Sequence, residues 1–260
     1  MKYLRLYAAF FRASLTADME FRANFAIKLT TEFFWYIAQI TSFAVIFRHT
    51  DSIGGWSWPE MRVFLGILFL VDSLYMVTVA ASLDTFSDVV RKGSLDLLLA
   101  KPVNSQFMLS LQRASTANLI TILVTLGWLS WSIWQIENFE PWRLVWLAVA
   151  VPSGAIIFYS LRFMFAATAV IFTRVESLNY LWYNFYRLGL RPDTIYVPWL
   201  KYILLTAIPV GLIASVPARL VLGMAGSWMA IWLVAVAAFF LYVSHRFWQA
   251  TLRHYTSASS

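Results

Sequence analysis

The chain has 260 residues, of which 60% are hydrophobic and only 13% charged, against about 45–50% and about 25% in an ordinary soluble domain. Its 20 Lys and Arg and 13 Asp and Glu cannot cover a soluble body of this size, and the mean hydropathy is +0.67. This argues against a soluble enzyme, a disordered chain and a nucleic-acid module, and the net charge of +7 instead fits Lys and Arg gathered on the cytoplasmic side of a membrane. Aromatic residues reach 18%, a density that suits Trp and Tyr at membrane–water boundaries. Cysteine is absent, which removes disulfides, Cys-ligated metal and thiol nucleophiles together.

Residues 1–28 carry Lys2, Arg5, Arg12, Asp18, Glu20, Arg22 and Lys28, so they do not read as a signal peptide. They read as an elbow lying in the interface. Leu4, Tyr7, Phe11 and Leu15 recur at helical spacing, with Arg5, Arg12, Thr16 and Glu20 on another face. A surface anchor and a partner-docking elbow both fit that pattern. A spanning helix needs about 20 mostly apolar residues. Six segments qualify: 29–47, 63–83, 115–134, 144–172, 199–216 and 228–244. The fourth is long and holds Pro152. The fifth is the weakest, with Lys201 near its start and Pro209 inside. The expected architecture is an all-α integral membrane protein, a single membrane domain over residues 1–260, with short cytoplasmic helices between spans.

With the N-terminus in the cytoplasm, the inner segments hold Lys2, Arg5, Arg12, Arg22, Lys28, Arg91, Lys92, Lys101, Arg113, Arg174, Arg187, Arg191, Lys201, Arg246 and Arg253. The outer segments hold Arg48, Arg62, Arg143 and Arg219. Fifteen against four is a strong positive-inside bias and places both termini in the cytoplasm.

Little catalytic chemistry is visible. His49, His245 and His254 are not at metal-ligand spacing, and there is no phosphate-binding glycine loop ending in Lys-Ser or Lys-Thr. Three ionisable residues fall inside spans: Glu32 near the start of the first, Asp72 in the second and Arg162 in the fourth. By count along their helices, Asp72 and Arg162 each lie about 14–15 Å from a membrane face. A charge at that depth costs about 2.5–3.5 kcal/mol or more, so each should face protein or water. The economical expectation is an Asp72–Arg162 pair, as a structural lock or as a substrate contact. The alternative is Arg162 snorkelling toward the inner face.

The segment after the second span runs from Asp84 to Asn104 and fits two short helices. The first continues span two and ends at Gly93. Ser94 can cap the second, Asp96 sits in its first turn, and Lys101 and Pro102 end it. The product is a very apolar cytoplasmic helix flanked by cations. It fits equally an interfacial helix that parks Leu95, Leu97, Leu98 and Leu99 in lipid and a knob that enters a groove on a cytoplasmic protein. Residues 174–198, with Tyr180, Trp182, Tyr183, Phe185 and Tyr186 interleaved with Asn179, Asn184 and Arg187, read as a second cytoplasmic stretch at the headgroups. Between spans five and six, Pro217 can start a short helix that Gly223 ends, with Arg219 between them.

The run Arg91-Lys92-Gly93-Ser94-Leu95-Asp96-Leu97-Leu98-Leu99-Ala100-Lys101-Pro102-Val103 resembles the segment after the second span of ABC-2 type exporter permeases, closest to a small six-span subgroup of viologen-exporter type. Arg191-Pro192-Asp193-Thr194-Ile195-Tyr196, Ile208-Pro209-Val210-Gly211 and Val216-Pro217-Ala218-Arg219 extend the likeness over essentially the whole chain. The resemblance implies half of an exporter in a bacterial inner membrane. It implies pairing with a second permease, homo- or heteromeric, and with two copies of a cytoplasmic ATPase. ATP and Mg would sit on that partner, and this chain would be neither catalytic nor cofactor-binding. It further implies that Gly93, Leu95, Asp96, Leu98, Leu99, Lys101 and Pro102 lie beside the ATPase. Pro217, Arg219 and Gly223 would belong to a short re-entrant element on the exit side. Two other functions remain open: a proton-coupled transporter using Asp72 or Glu32, and a membrane scaffold that moves nothing.

Overall fold

A computed structural model describes residues 2–20, 22–171 and 175–255. The described residues are helical, with no strand beyond one bridge between Ile53 and Trp56 in a loop. In chain order the helices are α1 (Lys2–Glu20), α2 (Arg22–Ile46), α3 (Trp58–Arg91), α4 (Leu95–Leu99), α5 (Ser105–Leu111), α6 (Thr116–Trp134), α7 (Pro141–Val170), α8 (Val175–Gly189), α9 (Pro198–Thr206), α10 (Ser215–Leu222) and α11 (Trp228–Arg253). The expected fourth span ends at residue 172, which, like Arg174, lies outside the described residues.

α3 is the axis of the bundle. Its Val, Leu, Ile and Phe run is buried on every side, so it needs no polar face. Its start is fixed locally: the Glu60 carboxylate accepts from the Ser57 N–H (2.7 Å) and hydroxyl (2.8 Å), and Pro59 sits in the first turn. Midway the helix widens into a π turn over Met76–Ala80. A π turn disturbs the regular ladder, and here the Val77 carbonyl accepts the Ser115 N–H at 3.1 Å, tying the foot of α6 to α3.

Contacts fix the direction of each helix along that axis. Arg62 donates to Gln135 (2.8 Å) and Ser73 meets Thr125 (3.4 Å), so α6 runs antiparallel to α3. Tyr75 stacks on Phe158 and Phe86 meets Phe163, so α7 runs parallel to it. α11 is parallel to α7, as Phe163 against Trp248 and Gln106 bridging Tyr159 and Ser244 require. α1 lies across one end of the bundle, held there by Lys2 on the Pro102 carbonyl, by Asp18 accepting from the Thr116 N–H and hydroxyl, and by Lys28 at 3.5 Å from Asp18. That end is termed the α1 face.

Four helices, α3, α6, α7 and α11, are long and apolar enough to cross a membrane. α2 has 25 residues, about 37 Å of helix, but Glu32, Gln39 and three threonines dilute its apolar run.

The expected fifth span, 199–216, is not a straight crossing. α9 and the stretch Val210–Leu222 meet at a 78° bend around Pro209. Both ends of the pair lie away from the α1 face. Trp56, in the loop between α2 and α3, donates to Thr194 at 2.9 Å just before α9, and Arg143 at the start of α7 donates to the Leu222 carbonyl at 2.9 Å. The pair dips into the bundle, where the Ile213 carbonyl approaches Gly154 so closely that any side chain there would collide with it. It then returns to the face it came from. α7 and α11 run the same way, so the chain must travel back once between them, and α8 makes that passage. Its Trp182 and Tyr186 pack on Phe165 and Phe158 in turn, antiparallel to α7. The reading of 174–198 as a cytoplasmic stretch is therefore corrected. Its alternating aromatic and polar residues are the two faces of a helix standing along the bundle.

Candidate functional site

Three features of the bundle bear on function. The first is a corner on the α1 face. α3 continues through a turn residue at Thr85 to Arg91, Lys92 caps it, and Gly93 turns the chain with φ +67°, a conformation that side chains resist. Ser94 takes the cap position of α4 without a side-chain hydrogen bond. α5, absent from the sequence reading, follows, with Asn104 accepting from the Phe107 N–H at 3.0 Å. Leu95 is fully buried in the core, and Leu98 and Leu99 pack partly against it. The residue that projects is Leu97, 73% exposed, ringed by exposed Arg91, Lys92, Lys101 and Pro102. Leu95, Leu98 and Leu99 thus do not form the outward face expected of them. Spacing of three and four puts them on one side of the helix, and the structure turns that side inward.

The second feature is a polar seam. The Asp72–Arg162 pair does not form. Arg162, buried on α7, donates to Asp84 Oδ1 at 2.8 Å, reaching toward the α1 face, while Asp72 accepts from the Tyr186 hydroxyl of α8 at 2.8 Å. Equal depth does not make two residues neighbours. Asp72 and Asp84 are twelve residues apart on one helix, about 18 Å, and the length of the arginine stem lets it choose the nearer water-facing partner. Asp84 is half exposed and anchors the pair at a boundary. The Tyr36 hydroxyl is buried close to Asp72 and Thr121, and Glu32 lines a cavity of about 810 Å³ between α1, α2, α3 and the foot of α6, with Asp18, Asp84 and Arg113 on its walls. Above the seam, Tyr75, Phe158, Trp182 and Tyr186 stack at 4.3–6.1 Å and lock α8 onto α7. The outward side of α8 is left with Tyr180, Tyr183 and Arg187 exposed.

The third feature is the bent pair. Asp193, fully buried, is approached by Arg219 Nη2 at 3.1 Å and Lys201 Nζ at 3.4 Å, and it accepts from the Ser215 hydroxyl. One carboxylate thereby ties the approach segment to both arms of the pair. α10 starts at Ser215, two residues before Pro217, and ends at Gly223, where φ is +73° and the Arg143 guanidinium fills the space of a side chain. Tyr186, Asp84, Asp193 and Leu97 lie in segments that the sequence marks, but none was expected as a site residue. Asp193 alone carried a signal, as an acid between Pro192 and a run of apolar residues.

A family model described as "ABC-2 family transporter protein" matches residues 33–259, from within α2 almost to the last residue. No curated protein and no solved structure matches the chain. Helices long and apolar enough to cross a membrane, together with that match over most of its length, make this chain a multi-pass membrane permease, and it belongs to the ABC-2 family of transporters.

Proposed function

We propose that the chain is half of an ATP-driven exporter and crosses a bacterial inner membrane six times, through α2, α3, α6, α7, α8 and α11, with the α1 face in the cytoplasm. The observation that carries this reading is the corner at Gly93. There the central helix ends in a tight turn, and one apolar side chain, Leu97, projects between three exposed cations and a proline of the same corner. That is the shape of a knob for a groove on a cytoplasmic protein. Family membership supports an ABC ATPase as the partner; in this reading the ATPase is present in two copies and holds ATP and Mg, and this chain binds no cofactor.

The charge balance supports the orientation in weakened form. Arg187, Arg191 and Lys201 move to the far side with α8 and α9, and the ratio falls from fifteen against four to twelve against seven. α8 supports a second permease. A membrane helix presenting Tyr180, Tyr183 and Arg187 needs water or protein beside it rather than lipid, and a path between two such chains supplies both. The bent pair, clamped at Asp193, closes that path on the exit side.

One observation favours a proton-coupled carrier: Asp72 is buried on a tyrosine, and among the described residues no cation pairs with it or with Glu32. Affinity purification from membranes with quantitative mass spectrometry separates the readings. An ABC ATPase recovered at one copy per permease chain is expected. A permease complex that transports but contains no ATPase would overturn the exporter reading in favour of the carrier.

A further inference from the structure

On the side of α3 and α7 away from α8 lies a second cavity of about 600 Å³, between α3, α5, α7 and α11. Its lining is mostly apolar, with Leu74, Val79, Ile156 and Leu241 among the residues that form it, and Pro152 and Leu241 of that lining are exposed. Gln106, Tyr159 and His245 sit at the end nearer the α1 face, and their polar atoms are already engaged with one another and with neighbours. The Gln106 amide donates to Tyr159 (3.2 Å) and Ser244 (3.3 Å), and its oxygen accepts from His245 Nδ1 at 3.0 Å. His245 Nε2 then accepts from Gln249 (2.9 Å), and the Tyr159 hydroxyl donates to Ser110 (2.9 Å). This assignment leaves no donor or acceptor of the three seeking a partner inside the cavity.

A wall of that kind is hydrocarbon in character despite its polar residues. An apolar cavity of roughly 150 Å³ stays dry and takes up benzene, and this one is several times larger, within the range that holds extended ligands. It does not open to water through a charged mouth, as the cavity at Glu32 does. Its exposed lining residue on α11, Leu241, shares a side of that helix with exposed Val234, and the helix's other outward residues, Ile231 and Phe239, are also apolar. We propose that this cavity is a binding site for one acyl chain of a bilayer lipid, inserted between α7 and α11 with α5 as its floor. α5 follows α4 in sequence, so the chain would support the helix that positions the corner at Gly93.

The test uses membranes containing the full chain and its natural partners, doped with a phosphatidylcholine that carries a diazirine midway along one acyl chain. After irradiation, labelled peptides are mapped by mass spectrometry. Label should concentrate on residues 74–79, 152–159 and 241–245. It should be lost from those segments in Ala155→Trp, which fills the cavity from α7, and again in Thr78→Phe, which fills it from α3. Label on Ile231 and Phe239, which face outward, should stay unchanged in both variants and so report an intact bundle. Even labelling over all outward apolar positions would overturn the proposal. So would cavity label that survives both substitutions, or preferential labelling of these segments by a water-soluble diazirine.

Discussion

Two leucines, two positions apart on α4, should fail in opposite ways. Leu95 is fully buried and Leu97 is 73% exposed. Leu95→Ala empties a core site and should cost about 2–5 kcal/mol of stability, read as a lower melting temperature of the purified permease. Leu97→Asp changes an exposed site and should move stability by no more than about 0.5 kcal/mol. If Leu97 is the anchor in an ATPase groove, its loss should cost about 2 kcal/mol or more of docking free energy, roughly thirtyfold in affinity, and an acid among Arg91, Lys92 and Lys101 adds a mismatch inside the groove. Both quantities are measurable on one preparation, by thermal unfolding in detergent and by titration of the ATPase onto immobilised permease. A helix that merely parks in lipid predicts weaker membrane insertion for Leu97→Asp with ATPase binding intact. Full ATPase binding by Leu97→Asp would refute the docking argument. So would ATPase loss in Leu95→Ala with no change in melting temperature, since that would make the buried residue the contact.

The cysteine-free sequence makes topology directly readable. Arg191→Cys and Asp51→Cys should react with an impermeant thiol reagent in intact cells and Lys92→Cys only after lysis, and protection of Arg191→Cys would return residues 174–198 to the cytoplasm. A double-mutant cycle on Arg162 should assign its partner. Asp84→Asn should destabilise by about 1–3 kcal/mol, reduced by the exposure of Asp84, and should couple to Arg162→Gln more strongly than Asp72→Asn does; a larger coupling to Asp72 would contradict the seam. At the bent pair, Asp193→Asn should cost about 3–5 kcal/mol by leaving buried Arg219 unmatched, with Arg219→Ala costing more than Lys201→Ala because Lys201 is 35% exposed; the order is checked by melting temperature.

Much of this architecture is legible in the sequence because membranes impose length and apolarity. The runs that became α6 and α7 were placed to within three residues, those of α3 and α11 were placed but their helices run eight and nine residues further at the C-terminal end, and Gly93 and Pro102 marked the corner around α4. What failed was azimuth. Depth along a helix follows from counting residues, but the direction in which Asp72 points around α3 depends on how α8 packs, so the partner came out as Tyr186 rather than Arg162. α8 itself was misplaced for a related reason. An amphipathic segment signals two environments without saying whether the polar one is headgroups or a path inside the membrane. The apolar stretch around Pro209 had enough hydropathy to pass for a crossing, and only the contacts of Trp56 with Thr194 and of Arg143 with Leu222 reveal that it returns to its starting face.

The length of α3 has a mechanical meaning. Thirty-four residues of helix make a rod about 51 Å long, reaching from the loop beside the bent pair to the corner where an ATPase would push. A rod held by packing on all sides transmits displacement end to end unless it has a compliant joint. The π turn at Met76–Ala80 is one such joint, the turn at Thr85 closer to the corner is another, and Ser115 grips the first from α6 at Val77. Force applied at Gly93 would therefore be divided there, part carried up the rod toward the exit and part diverted into α6. The geometry of a few widened backbone bonds would set how much of each nucleotide-driven stroke reaches the far side.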